Sequence, residues 1–538
     1  MKEGLRQAMA WLHTWLGLIF GWLLFAIFLT GTLSYFRAEI THWMTPELEV
    51  RALDSAQSVR VAQDYLQEKS PSAVRWFINL PEQRDPTMNV VAVGKPAKPG
   101  ERGKFERVTL DPLTGTEIQA RETRGGDFFY RFHYQLEMPY PWGRWLTTIA
   151  AMVMFIALIT GIIVHKKVFK EFFTFRPGKG QRSWLDGHNA LGVLVLPFHL
   201  MITYSSLLFF ASLVMPASII TTYGDNTRAF YDELYPASAA PKAQGVAAPL
   251  IRLDSLLSMA DERWGENMIS RVTIDNPGDA NARATLYRNG HDRVTRQQGD
   301  TLVFDATSGA LLSDSLPAKA APSLITEGFW DLHMGQFANI VVRWLYFVFG
   351  IAGTAMIGTG LVMWLGKRVL KHAKSGVLPF ELRLVQILNI SSMAGLMLAV
   401  VVVFWANRLL PVGMPGREDW EVNAFFIIWA LSVLHAALRN GQTAWREQLG
   451  LGALLFGALP LLDIVTSSQY LLTSLKGGSW VLIGFDLTAL ATGLLLGWAA
   501  LKFRNRPEAA AKVRKAPRPA AALPEPTDMT GAVIKEAN

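Results

Sequence analysis

The chain contains no cysteine. That absence excludes disulfides, cysteine-ligated iron–sulfur clusters, thiolate nucleophiles and covalently attached c-type haem, and it leaves histidine, methionine and carboxylates to hold any redox or metal centre. Charge is scarce as well. Of 538 residues, 18% are charged and 50% hydrophobic, which is too apolar for a soluble chain of this length. A strand-linked GxGxxG that could bind a dinucleotide is also missing; GLGALLFG (450–457) lies inside an apolar run and reads as helix packing. The net charge of +8 does not mark a nucleic-acid surface, because Lys and Arg gather beside apolar runs, where they set orientation in a bilayer.

Present instead are apolar runs of bilayer length at 8–36, 142–164, 191–215, 340–365, 384–405, 423–438, 449–465 and 480–501. The first is longer than a signal-peptide core and is followed by SYFRAEITHW, without a small-residue cleavage pattern, so it reads as an anchor. The segments HKKVFKEFFTFRPGKGQR (165–182) and GKRVLKHAK (366–374) and the tail from Lys502 are basic, and the positive-inside rule places them and both termini in the cytoplasm. The expected fold is an all-α polytopic membrane protein of about eight transmembrane helices with two small α+β domains inserted. In chain order it has a first span at 1–37, a soluble domain at 38–140, a second span at 141–165 and a basic loop at 166–187. A third span at 188–215, a second soluble domain at 216–338, a fourth span at 339–366, an appended block of four spans at 383–503 and a tail at 504–538 complete it. The tail is Pro, Ala and charge without periodicity, which predicts disorder. The soluble domains fall opposite the basic loops, on the periplasmic side of an inner membrane.

The chain repeats itself. His13-x-x-x-Gly17-Leu18 opens the first span and His188-x-x-x-Gly192-Val193 the third; LDPLTG (110–115) corresponds to FDATSG (304–309); Arg144 to Thr160-Gly161 has the spacing of Arg343 to Thr359-Gly360. His133 and His333 hold nearly equivalent places before the second and fourth spans. Both copies run in the same sense, which makes a parallel repeat about an axis along the membrane normal. Such an axis lets His13 face His188 at one depth and His133 face His333 at another. Spans five to eight show no matching pattern.

Six of the ten histidines, His13, His133, His165, His188, His199 and His333, fall in or beside the first four spans. Intramembrane imidazoles are costly unless partnered, and a helix-interface hydrogen bond is the plain alternative to a ligand role. Zinc or copper wants a compact ligand shell, often with carboxylates, whereas these rings divide by depth. Haem b needs one ligand per face in an apolar pocket, and two such centres stacked across a bilayer would conduct electrons. On a continuous helix, His188 and His199, eleven residues apart, share one face at two depths. His199 corresponds to Leu24 and His165 to Trp364 in the repeat, so pairings of His165 with His188, or His199 with His133 or His333, stay open beside the on-axis ones. The pairs Thr30-Gly31, Thr160-Gly161 and Thr359-Gly360 read as close helix packing, and Arg144 and Arg343 as either propionate partners or interfacial anchors. His42, His291, His372 and His435 read as structural.

These residues resemble the PepSY-associated transmembrane family over about residues 5–370. The likeness rests on the HxxxGL/V openings, the two units ending in DPLTG and DATSG, the FH or LH element before an outward-to-inward span, and the TG pair near its end. It implies two PepSY-like periplasmic domains, two haems in a four-helix core held by His13, His133, His188 and His333 with His165 and His199 as additions, and reduction of a ferric siderophore to release Fe(II). The electron donor would be external, a membrane quinol or a cytoplasmic flavoprotein, with membrane lipid as a further partner and no nucleic acid. The appended block departs from that likeness. A haem-free scaffold binding peptides or a peptidase, and a siderophore or metal permease, are the competing expectations.

Overall fold

The computed structural model describes residues 3–48, 54–96 except 83 and 86, 103–165, 176, 178–224, 226, 229, 230, 233, 241–290, 300–314, 321–372, 377–467 and 480–504. Residues 166–175 of the basic loop, His291 and the tail beyond 504 lie outside this set. The described chain is mostly helical and carries a single antiparallel sheet.

Six helices are long and apolar enough to cross a membrane: Trp142–Val164, Ile340–His372, Phe380–Leu409, Arg417–Leu438, Gly441–Thr466 and Val481–Phe503. Two bent pairs bring the number to as many as eight if each is one span, α1 (Glu3–Ile19) with α2 (Gly21–Ser34) and, in the second repeat, Gln181–Leu194 with Leu196–Phe209. The bends are 65° and 67°. They fall at Phe20 and Val195, whose places match in the repeat, with φ/ψ of −98°/−8° and −108°/14°. Pro197 explains the second, since it has no N–H to give the Val193 carbonyl; the first has Gly21 at its break, a residue that holds a helix weakly. These bends overturn one expectation. His188 and His199 sit on different arms of a broken helix, so their spacing does not put them on one face.

Next in order come α3 (Arg37–Met44), α4 (Ser55–Lys69), β1 (Arg75–Asn79), β2 (Met88–Val93), β3 (Phe105–Leu110), α5 (Gly125–Gln135) and α6 (Trp142–Val164). The second repeat gives α7 (Gln181–Leu194), α8 (Leu196–Phe209), α9 (Leu257–Trp264), β4 (Ile269–Asp275), β5 (Arg283–Arg288), β6 (Thr301–Asp305), β7 (Leu311–Asp314), α10 (Ala321–Met334) and α11 (Ile340–His372). Each half has the same order, a helix, three strands and an Asp-turn, the last at the corresponding LDPLTG and FDATSG. Asp111 accepts from the Leu113 and Thr114 amides at 2.9 and 3.0 Å, and Asp305 from those of Thr307 and Ser308 at 2.8 and 2.9 Å. Gly115 and Gly309 close the two turns at φ of 72° and 78°, where a Cβ would be strained.

The two soluble halves are not separate domains, however. Their strands form one sheet in the order β3-β2-β1-β4-β5-β6-β7, joined where β1 pairs antiparallel with β4 from Arg75↔Asp275 to Asn79↔Arg271. Trp76, Ile78, Val90, Val272, Ile274 and Leu286 turn to one face, where α4 and α9 cover them in a single core. The physical reason is economy of edges. A three-stranded half leaves β1 and β4 with unpaired backbone, and pairing them removes two edges at once.

Candidate functional site: two facing pairs of anchored imidazoles

Four of the six histidines meet in twos. His13, on α1, reaches α6, where its Nδ1 lies 2.9 Å from the Ala157 carbonyl and 3.3 Å from the Thr160 hydroxyl. His188, on α7, reaches α11 in the same way, with Nδ1 2.8 Å from the Met356 carbonyl and 3.3 Å from the Thr359 hydroxyl. A carbonyl can only accept, so Nδ1 carries the proton in each ring and Nε2 is left with its lone pair. The two rings face each other with centres 6.3 Å apart and planes at 76°.

The second pair lies on the sheet side. His133, on α5, donates from Nδ1 to the Ile27 carbonyl at 2.8 Å. His333, on α10, donates to the Ser205 hydroxyl oxygen at 2.8 Å, with the Ile202 carbonyl beside it. Ser205 gives its own proton to the Met201 carbonyl at 2.7 Å, so its oxygen is the acceptor here. The ring centres are 6.1 Å apart with planes at 45°. Burial pushes the His333 imidazole down to about 3, with His133 opposite adding to the shift, and burial lowers His133 as well. Both are therefore neutral, the form that can bind a metal. A cavity of about 680 Å³ opens between them, walled by aromatic and aliphatic side chains that include Phe28, Phe198 and Phe209, with Tyr134, Tyr140 and Arg144 at its polar part.

One local pattern builds three of the sites and the fourth varies it. A backbone carbonyl at position i accepts the imidazole, and a Thr at i+3 turns its hydroxyl to that carbonyl: Thr160 to Ala157 at 3.0 Å, Thr359 to Met356 at 2.8 Å, Thr30 to Ile27 at 3.2 Å; at the fourth the Ser205 hydroxyl oxygen is itself the acceptor for His333. At three sites a glycine follows and makes room. A Cβ on Gly161 or Gly360 would sit 3.3 or 3.2 Å from the Cε1 of His13 or His188, and one on Gly31 only 2.6 Å from His133. The Thr-Gly pairs, which read as helix packing in the sequence, thus seat the histidines. Identical spacing in both repeats was the signal.

The on-axis pairing is the one observed. His199 is fully buried, its ring against Phe28 and Phe198 and not against another histidine, and although the Phe349 carbonyl lies beside it, neither ring nitrogen makes a hydrogen bond. His165 caps α6 within electrostatic reach of His188 but does not face it as His13 does. Arg144 stays near the sheet-side pair, held by Gln135 at 3.1 Å and lying over Tyr134 and Tyr140. Arg343 serves neither reading. It is buried, and its guanidinium pairs with Glu39 at 2.9 Å and with the Ala338 carbonyl. His435, read as structural, meets Glu447 at 2.8 Å. Among the described residues no three His, Asp or Glu side chains gather as a metal cage.

Fold and site define a class: a multi-pass membrane protein whose repeated halves bring equivalent histidines face to face beneath a shared sheet. The chain belongs to the PepSY-associated TM region family, whose model matches residues 10–367. The match covers both repeats and all six histidines and ends before the appended block. No curated protein matches the chain.

Proposed function

We propose that the protein is a haem b oxidoreductase of the inner membrane that carries electrons outward and reduces a ferric chelate, most simply a ferric siderophore, so that iron leaves as Fe(II). One observation carries the reading: two pairs of imidazoles, each with Nδ1 tied to its partner helix and Nε2 left to ligate, at 6.3 and 6.1 Å between ring centres. Two metal–nitrogen bonds of about 2.0 Å, and about 1.1 Å from each nitrogen to its ring centre, span roughly 6.2 Å. Ligating histidines characteristically donate their other N–H to a carbonyl, which fixes the tautomer and raises basicity. The residues therefore fit a metal-bearing cofactor that His13 with His188, or His133 with His333, would hold, and the sheet-side cavity has the size and apolar walls to hold it. When bound, haem iron supplies one-electron chemistry between Fe(III) and Fe(II).

The chain's own part is to hold the group. Helices α1 and α7 present His13 and His188, and α5 and α10 present His133 and His333. Arg144 is placed to meet an anionic edge at the sheet-side cavity. Basic segments at 165–182 and 366–374 support an orientation with the sheet outside, on which a quinol or a cytoplasmic flavoprotein would deliver electrons at the His13/His188 level and the ferric chelate would take them at the His133/His333 level. A siderophore holds hard Fe(III) much more tightly than Fe(II), so reduction is itself the release step.

Purified in mild detergent from haem-replete cells, the protein is expected to be red, with b-type bands and about two haems per chain. His13→Ala and His188→Ala should each lose one haem and His333→Ala the other. A colourless preparation, which a peptide-binding scaffold or a permease would give, sinks the proposal.

A further inference from the structure

A second cavity, of about 620 Å³, lies on the sheet face turned away from α4 and α9, where that face meets α3 and the end of α10. Its charge is lopsided. Arg37, Arg107, Arg271 and Arg288 line it against the carboxylates of Glu82 and Asp85, and burial pushes the Asp85 carboxyl up towards its neutral form. Arg288 lies 4.0 Å from Asp300 and Arg37 3.7 Å from Asp127. Among the described residues Arg107 and Arg271 make no ion pair, and the Arg271 Nε is buried without a hydrogen-bond partner. Arg271 is also held in place, with its guanidinium 4.2 Å from the Tyr287 ring centre. A fixed guanidinium with an unused buried donor is a preformed site for planar oxyanions, which take two parallel N–H bonds.

This cavity adjoins the sheet-side histidines. Arg37 lies 4.8 Å from the ring centre of Tyr130, and Tyr130 also lines the His133/His333 cavity. Gln336, at the second cavity's wall, is three residues beyond His333.

We infer that this cavity is the docking site for the ferric substrate and that it selects chelates of net negative charge, of the carboxylate and hydroxycarboxylate class, over neutral trihydroxamates. The inference rests on the reductase reading for what the ligand carries, and its test is independent of electron flow. Gallium(III) citrate, which is redox-inert, is titrated into the full-length protein in detergent by calorimetry, with the gallium(III) complex of a neutral trihydroxamate as comparison. Citrate complex binding is expected, weakening with salt, falling about threefold in Arg107→Gln and tenfold or more in Arg107→Gln/Arg271→Gln. Arg107 is exposed, so the single variant reports even if the double one folds poorly. Unchanged affinity in the variants, no binding of the citrate complex, or tighter binding of the trihydroxamate overturns the inference. Absorbance read on the same samples separates the two ideas. A red protein without arginine-dependent binding defeats the docking site alone, whereas a colourless one that still binds defeats the reductase and keeps the anion site.

Discussion

Each paired imidazole commits its Nδ1–H to an acceptor on a neighbouring helix, and this is where residue identity turns into function. Such a bond is worth only about 0.5–1.5 kcal/mol to stability, yet loss of an orienting partner behind a ligating histidine costs about 10–100-fold in metal affinity. The clearance around the ring matters more sharply. At Gly31 a methyl would stand 2.6 Å from the His133 ring, whereas at Gly17 it would meet nothing within 4 Å. On the proposed haem reading, Gly31→Ala should therefore push His133 off its carbonyl and lower the haem content from the expected two or so per chain to about one, with Gly17→Ala unchanged. Pyridine haemochrome assay checks it, and two haems in Gly31→Ala would show that His133 does not need this seat. The histidines and their repeat partners were legible in the sequence because imidazole is rare in lipid and the spacing recurs. Their acceptors were not, since every residue owns a carbonyl and only helix packing says which one is met.

At the scale of elements, the two corresponding Asp-turns were legible, and so were the eight apolar runs. The joining of the halves was not. Sequence shows a strand's faces but not which edge it meets, and here the repeat axis brings β1 to β4 (Arg75↔Asp275 to Asn79↔Arg271). The helix breaks were missed for a related reason: one has a proline and the other does not, while apolar periodicity continues through both. A single sheet makes a prediction that two domains do not. Val272 is wholly buried on β4 opposite Ile78 on β1. Val272→Asp places an unpaired carboxylate in the shared core, which costs several kcal/mol. Amide exchange should then quicken in β2 (Met88–Val93) as well as in β5 (Arg283–Arg288). Acceleration confined to the second half would mean that the halves fold independently.

For the whole molecule, the question is why a repeat complete in itself carries four further spans. They are not a loose appendage. Arg408, near the end of the span Phe380–Leu409, donates to the Trp43 carbonyl at 2.6 Å and pairs with Asp463 at full burial. Arg417 donates to the Glu122 carbonyl at 2.7 Å, Arg121 donates to that of Asn407 at 2.9 Å, and Trp22 reaches Asn389 at 2.8 Å. Phe128 and Phe132 of α5 pack edge-on against Phe425 of the block. The block thus backs the helix that presents His133. Arg408→Ala strands Asp463 as an uncompensated buried charge, a loss of about 3–5 kcal/mol. Thermal unfolding should move down accordingly, and because α5 is the element the block supports, the haem held by His133 should be released before the one held by His13 and His188. Arg408→Met with Asp463→Leu removes both charges and keeps the volume, so it should recover most of the stability and both haems. If Arg408→Ala unfolded at the wild-type temperature with its haems leaving together, the block would be an independent module and its hold on α5 incidental.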